Sequence, residues 1–323
     1  SWGLSVYGNG GMNTTYSRNI YDETFAVLNS GGAATSTGLA DTGELMIDLG
    51  QAIFAPTLSY KLTENHSFGI SALLAVQYFK AKGLGDFQGF TQAGSGTDLT
   101  DNGYDFSYGA GVRVGWLGKI HPKVTLGIAG SSPIYMTEFH KYSDLFAEQG
   151  GFDIPANFTA GIAFRPVNDL LMSFDFQRIF YGGVNSIANK GPVLSSGGQP
   201  SFPAGQGPLG QKNGLGFGWN DINVYRLGLK YQYNSNWSVS AGYSWNDRPF
   251  EADQLLFNII SPAVNTKHAT FGISYSADKD SEWNLSYQHA FKETMSTNQS
   301  AFGVPGSVSM YQNAVEIGYS WKF

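Results

Sequence analysis

Hydrophobic and polar residues alternate with a period of two through most of the chain, the pattern of a strand whose two faces meet different surroundings. Between residues 67 and 80, Phe68, Ile70, Ala72, Leu74, Val76 and Tyr78 fall on one side, and Gly69, Ser71, Leu73, Ala75, Gln77 and Phe79 on the other. Between 106 and 117, Phe106, Tyr108, Ala110, Val112, Val114 and Trp116 oppose Ser107, Gly109, Gly111, Arg113, Gly115 and Leu117. Between 221 and 233, Tyr225, Leu227, Leu229, Tyr231 and Tyr233 oppose Val224, Arg226, Gly228, Lys230 and Gln232. One face is greasy each time; the other is mostly small, polar or charged. The same reading predicts strands near 1–8, 48–62, 67–80, 105–118, 123–137, 155–165, 169–179, 221–234, 237–248, 267–277, 281–292 and 309–323.

The links between these strands alternate in length. Short ones run from Thr63 to His66, Gly118 to Pro122, Pro166 to Asn168, Asn234 to Asn236 and Ala277 to Asp280. Long ones cover 9–47, 81–104, 138–154, 180–220, 249–266 and 293–308. Twelve strands with five short turns and six long loops place both chain ends on the short-turn side of an up-and-down sheet, the layout of an outer-membrane barrel. Lipid cannot satisfy backbone N–H and C=O groups, so a sheet that crosses it must close on itself. The predicted fold is therefore all-β: a transmembrane antiparallel up-and-down β-barrel, one domain over residues 1–323 with long extracellular loops. An even count of twelve permits closure. Tyr60, Trp116, Tyr233, Trp237, Tyr275 and Trp283 stand near strand ends and are expected to form two interfacial girdles. A soluble sandwich alternates too, but its outer face carries Lys and Glu where this second face carries Gly and Ser.

Composition sharpens this picture. The 323 residues include 42 Gly, 23 Phe, 18 Tyr and 7 Trp and are 14% charged, against about 25% charged residues in an average soluble domain. The absence of cysteine removes disulfides, thiolate metal sites and cysteine nucleophiles. A net charge of -6 argues against nucleic acid as a partner. A membrane helix needs about 18 consecutive apolar residues, and the greasiest window, Ile70 to Phe79, is interrupted by Ser71 and Gln77. No basic, apolar and small-residue leader stands at Ser1, so any secretory signal is expected to have been removed or to lie outside this sequence.

The final strand places Tyr311, Asn313, Val315, Ile317, Tyr319, Trp321 and Phe323 on one face, which resembles the C-terminal signal read by the bacterial barrel-assembly machinery. The longer segments GNGGMNTTY (Gly8 to Tyr16), FHKYSDLFAEQGGFDIPA (Phe139 to Ala156), GLGFGWND (Gly214 to Asp221), LFNIISPAVNTKHATFG (Leu256 to Gly272) and the ending YSWKF together resemble the FadL-type outer-membrane transporters of long-chain fatty acids and other hydrophobic compounds, including aromatic hydrocarbons. The resemblance implies a fourteen-stranded barrel with an N-terminal hatch; the chain is expected to start at the third strand and to lack the hatch and the first two strands. It also implies passive uptake of a hydrophobic small molecule by a bacterial outer-membrane monomer surrounded by lipid and lipopolysaccharide, with sideways release through an inward kink of that strand.

The kink residues that match are Gly8, Asn9, Gly10 and Gly11; strand glycines mark bulges or close backbone approach, and a plain loop start is the alternative. Apolar Phe25 and Leu28 in one loop and Phe139, Leu145 and Phe146 in another are expected to line an external substrate groove, or else to pack together as a lid. A fatty-acid carboxylate would need a lumenal cation. Lys80 and Lys82 resemble the family's ligand-binding arginine in placement, and Arg113 and Arg226 face the lumen by parity; pairing of Arg226 with Asp175 or Glu316 is the competing role.

Catalytic signals are thin. His66, His121, His140, His268 and His289 lack metal-ligand spacing, and His289 falls on the lipid side with no serine partner. Asp98, Asp101, Asn102 and Asp105 could meet a calcium ion in an external loop, but their spacing does not match an EF-hand loop and a solvated turn is expected. No cofactor, metal or enzymatic activity is expected. The alternative to hydrophobic uptake is a general diffusion porin for small polar solutes, with an outer-membrane enzyme or adhesin third.

Overall fold

In the computed structural model, which describes residues 1–22, 43–92, 96–196, 200–298, 300 and 303–322, the alternating segments pair in chain order. The long strands are β1 (Trp2–Tyr16), β2 (Leu45–Lys61), β3 (His66–Lys82), β4 (Asp105–His121), β5 (Val124–Ser131), β7 (Asn157–Val167), β8 (Leu170–Ile179), β11 (Ile222–Gln232), β12 (Trp237–Asn246), β13 (Lys267–Ser276), β14 (Ser281–Thr297) and β15 (Gly306–Trp321). Each pairs antiparallel with the next in the sheet order β1-β2-β3-β4-β5-β7-β8-β11-β12-β13-β14-β15. The two-residue β6 (Tyr135–Met136) adds to β4, and β9 (Val193–Leu194) pairs with β10 (Pro200–Ser201). Among the described residues β1 and β15 form the two ends of the sheet and have no ladder between them.

Three boundaries differ from the alternation, two of them for one physical reason. An extra residue in one strand is absorbed as a bulge and exchanges odd for even positions on each face. In β1 the register shifts between Gly8 and Gly10. Trp2, Leu4 and Val6 are outward and exposed, yet beyond the shift Met12 and Tyr16 pack inward and Asn13 reaches the outward Asp48. The alternation thus breaks at residue 8 while the strand continues to Tyr16. In β14 a shift between Ala290 and Glu293 hides the upper strand in the same way. The third case runs the other way: the segment expected as one strand over 123–137 leaves β5 at Ser131, passes Pro133, and resumes as β6. Gly109 permits this, because a Cβ there would collide with the Tyr135 backbone and the Met136 sulfur.

The outward face is a continuous row of exposed Leu, Ile, Val and aromatic residues, for example Leu58 at 65%, Ile70 at 52%, Val114 at 54% and Ile317 at 72% exposure. Such a belt is stable against lipid rather than water. The six aromatics expected to make two girdles all stand at the short-turn end, where Trp237 packs on Tyr275 and Trp283 on Tyr319 at 4.6 Å each. The loop-end girdle comes from other residues: Tyr225 stacks on Trp245 at 5.3 Å, and Tyr78 meets Tyr104 at 5.7 Å.

Candidate functional site

Two apolar clusters line the interior and meet on the wall built by β1 to β4. The larger forms where the external segments fold inward over the loop ends of the strands. Phe79 of β3 is ringed by Phe139, Tyr142 and Phe146 at 5.7, 4.7 and 4.7 Å between ring centres, and Phe152 packs on Phe146 at 4.8 Å, tilted and edge-on arrangements that suit the ring quadrupoles. Leu45, Ile47 and Leu49 of β2, with Phe217, Phe250 and Phe257 from later loops, complete it. The smaller cluster lies nearer the short-turn end: Ile53 and Ala55 of β2, Leu73 and Ala75 of β3, and Ile134, Met136 and Ile154 from the folded-in segment, with Tyr7 of β1 packed against them. Gln51 and Gln77 stand between the two clusters, and Asn9, the residue skipped by the β1 register, donates to the Gln51 Oε1 at 3.0 Å.

Buried polar groups pin the loops to one another, as their desolvation requires. The Tyr142 hydroxyl accepts from the Ala81 N–H and donates to the Gly103 carbonyl. Tyr16 and Tyr21 donate to the carbonyls of Ile259 and Leu256, and full burial raises the Tyr21 hydroxyl pKa. Asn258, fully buried, accepts from the Trp219 indole at 2.6 Å and donates to the carbonyls of Phe217 and Gln254. In the segment Gly85–Phe90, burial, with a hydrogen bond and charge repulsion from Asp22, pushes the Asp86 carboxyl up to about 7. Burial also raises Asp153, whose Oδ1 accepts from the Met136 N–H at 2.7 Å.

The expected site residues distribute unevenly over this frame. Phe139, Leu145 and Phe146 lie together inside the larger cluster, buried rather than lining an open groove; Phe25 and Leu28 lie outside the described residues. Lys80 and Lys82 do not face the lumen. They share the outward face with Tyr78, since Gln77, Phe79 and Ala81 are the buried alternates of β3; Lys80 stands over the Tyr104 ring at 5.0 Å and Lys82 pairs with Glu44 at 3.2 Å. Their expected role as lumenal carboxylate ligands is therefore corrected. Arg113 and Arg226 do point inward. Arg113 donates from Nε to Ser131 at 2.8 Å and, with Ser71, Gly115, Ala129 and Asp175, lines a cavity of about 510 Å³. Arg226 donates to Gln177 at 2.7 Å; although Asp175 is its cross-strand neighbour, no ion pair of Arg226 with Asp175 or Glu316 is found among the described residues.

Gly8 to Gly11 are strand residues around the bulge, not the start of a loop. No group of three or more His, Asp or Glu able to hold a metal occurs among the described residues, and Asp101 and Asp105 instead accept from the backbone N–H groups of Gly83 and Lys141. The sequence reading passed over Gln51 and Gln77. The one signal for Gln77 was its interruption of the greasiest window in the chain.

No family model matches the chain, and no curated protein does. Solved structures do match over its full length. The toluene transporter TbuX of Ralstonia pickettii is 19% identical with a TM-score of 0.64, covering 100% of this chain and 77% of the transporter. The toluene transporter TodX of Pseudomonas putida is 19% identical with a TM-score of 0.65, covering 100% and 78%. A FadL homologue from Pseudomonas aeruginosa is 14% identical with a TM-score of 0.65, covering 99% and 74%. The all-β antiparallel order agrees with these matches, and the chain has the fold of the FadL-type outer-membrane β-barrel channels.

Proposed function

We propose that this protein is a channel of the bacterial outer membrane for passive uptake of small hydrophobic molecules, with release sideways into the bilayer at the β1 bulge. The observation that carries the reading is the continuity of apolar surface. The aromatic loop core passes, across Gln51 and Gln77, into the Ile53–Leu73–Ile134 cluster, which abuts Tyr7, two residues from the bulge. A porin for polar solutes would need a charged, water-filled mouth, whereas Phe79, Phe139, Phe146 and Phe152 fill the mouth here. TbuX and TodX are toluene transporters, which supports a neutral arene as readily as a long-chain fatty acid. The chain is a transporter in this reading and not an enzyme.

Uptake of radiolabelled toluene and of oleate by cells that express the protein, against cells that lack it, tests the reading. Saturable uptake of at least one is expected. A large ionic conductance in planar bilayers with no uptake of either would favour the porin.

A further inference from the structure

Between the two apolar clusters, three side-chain amides and a serine hydroxyl form a chain of hydrogen bonds across four neighbouring strands. Asn9 of β1 donates to Gln51 Oε1 of β2 at 3.0 Å, and Gln51 Nε2 donates to Gln77 Oε1 of β3 at 2.9 Å. Gln77 Nε2 donates to the Phe152 carbonyl at 2.9 Å and to Ser107 Oγ of β4 at 3.3 Å, and the Ser107 hydroxyl donates to the Thr137 carbonyl at 2.5 Å. Gln51 lies directly across from Gln77, and Gln77 from Ser107. Gln51 and Gln77 each accept through oxygen and donate through nitrogen, so each bond polarises the next. Gln77 and Ser107 are completely buried.

The two ends of this chain are different kinds of structure. One end is the bulge residue Asn9, which the β1–β2 register skips and which lies in a strand at the end of the sheet. Gln51 comes close enough that a Cβ on Gly10 would sit 3.2 Å from its Oε1. The other end, Thr137 and Phe152, brackets the external segment that supplies Phe139, Phe146 and Phe152 to the loop core.

We propose that Gln77 is a positioning residue that joins the β1 bulge to the external segment 137–154, so that the wall and the loop core shift together. The mechanical link stands on the hydrogen bonds alone; its meaning for transport rests on the uptake reading above. A hydrophobic molecule that displaces Phe146 or Phe152 then moves the Phe152 carbonyl, and with it Gln77, Gln51 and Asn9.

The chain has no cysteine, so a single introduced thiol reports cleanly. Met12→Cys places one beyond the bulge, where the native side chain packs against the loop core; Ser240→Cys on β12 is the distant control. Gln77→Leu is expected to raise the rate of labelling by a water-soluble maleimide at position 12 at least five-fold and to leave position 240 unchanged. Should Gln77→Leu fail to fold, Gln51→Met severs the same chain one strand closer to the bulge. An unchanged rate at position 12 in a folded variant overturns the proposal. Toluene and oleate uptake, measured alongside, separates the two readings: faster labelling with unchanged uptake keeps the link and refutes exit at the bulge, whereas a parent protein without uptake refutes the transport reading and leaves the link decided by the labelling rates.

Discussion

Asp86 is a loop residue whose charge depends on pH near neutrality. Its carboxyl titrates near 7 in the fold against an ordinary value of 3.8, so between those values the folded form keeps a proton that the unfolded form has lost. The contact of residues 19–22 with the Gly85–Phe90 segment is thus firmest in acid and weakens as pH rises towards 7 and through it. Limited proteolysis of these loops should be faster at pH 8 than at pH 6, and Asp86→Asn should abolish the difference. Arg113 bears on the substrate. Ser131 fixes its Nε and its side chain lines the inner cavity, so a carboxylate would find a charge-assisted partner worth about 1.5–3 kcal/mol there. Arg113→Ala should lower oleate uptake about ten-fold and leave toluene uptake unchanged; equal loss of both would mean that Arg113 acts through the wall instead.

At the scale of the element, β1 carries the hypothesis of lateral release. Neither Gly10 nor Gly11 has a left-handed backbone; what they provide is close approach, since a Cβ would sit 3.2 Å from Gln51 Oε1 at Gly10 and 3.2 Å from the Leu49 carbonyl at Gly11. Valine at both positions should press Gln51 away and favour a stiffer, more regular strand. Uptake should slow while the barrel stays folded and heat-resistant in detergent; full uptake would place the exit elsewhere. The same strand explains how much was legible beforehand. Period two located all twelve long strands because one face of each is apolar. It lost β1 after residue 8 and β14 after residue 292 because a bulge re-phases the faces, and it ran β5 on too far because Pro133 does not itself break a period of two. Arg113 and Arg226 were read correctly as inward by that parity, whereas Lys80 and Lys82, assigned through a resemblance in placement, contradicted the parity of their own strand. The amide chain was not legible, since it depends on which residues of four strands share a level.

For the whole molecule, the outward belt predicts how stability responds to charge. Leu229 sits midway between the outward Tyr225 and Tyr233, four residues from each, and is 48% exposed. Arginine there should cost about 2–4 kcal/mol when the protein is unfolded from lipid vesicles, as at a bilayer midplane. The inward neighbour Lys230 already carries a charge without penalty from lipid, so Lys230→Ala should change that stability little. Equal effects at 229 and 230 would mean that the two faces do not meet different solvents.

The bulge at Asn9 also has a consequence for the gene. A single-codon deletion in a strand normally turns every side chain beyond it to the opposite face, so it should be selected against throughout most of β1. Removal of the Asn9 codon is different: it takes out the residue that the ladder skips, keeps each remaining cross-strand pair, and leaves Met12, Thr14 and Tyr16 facing inward. In a library of single-codon deletions sorted for surface display, loss of Asn9 should survive where loss of Val6 or Met12 does not. Homologues that differ in length by one residue at this position would then differ in the presence of the kink while sharing the same barrel wall.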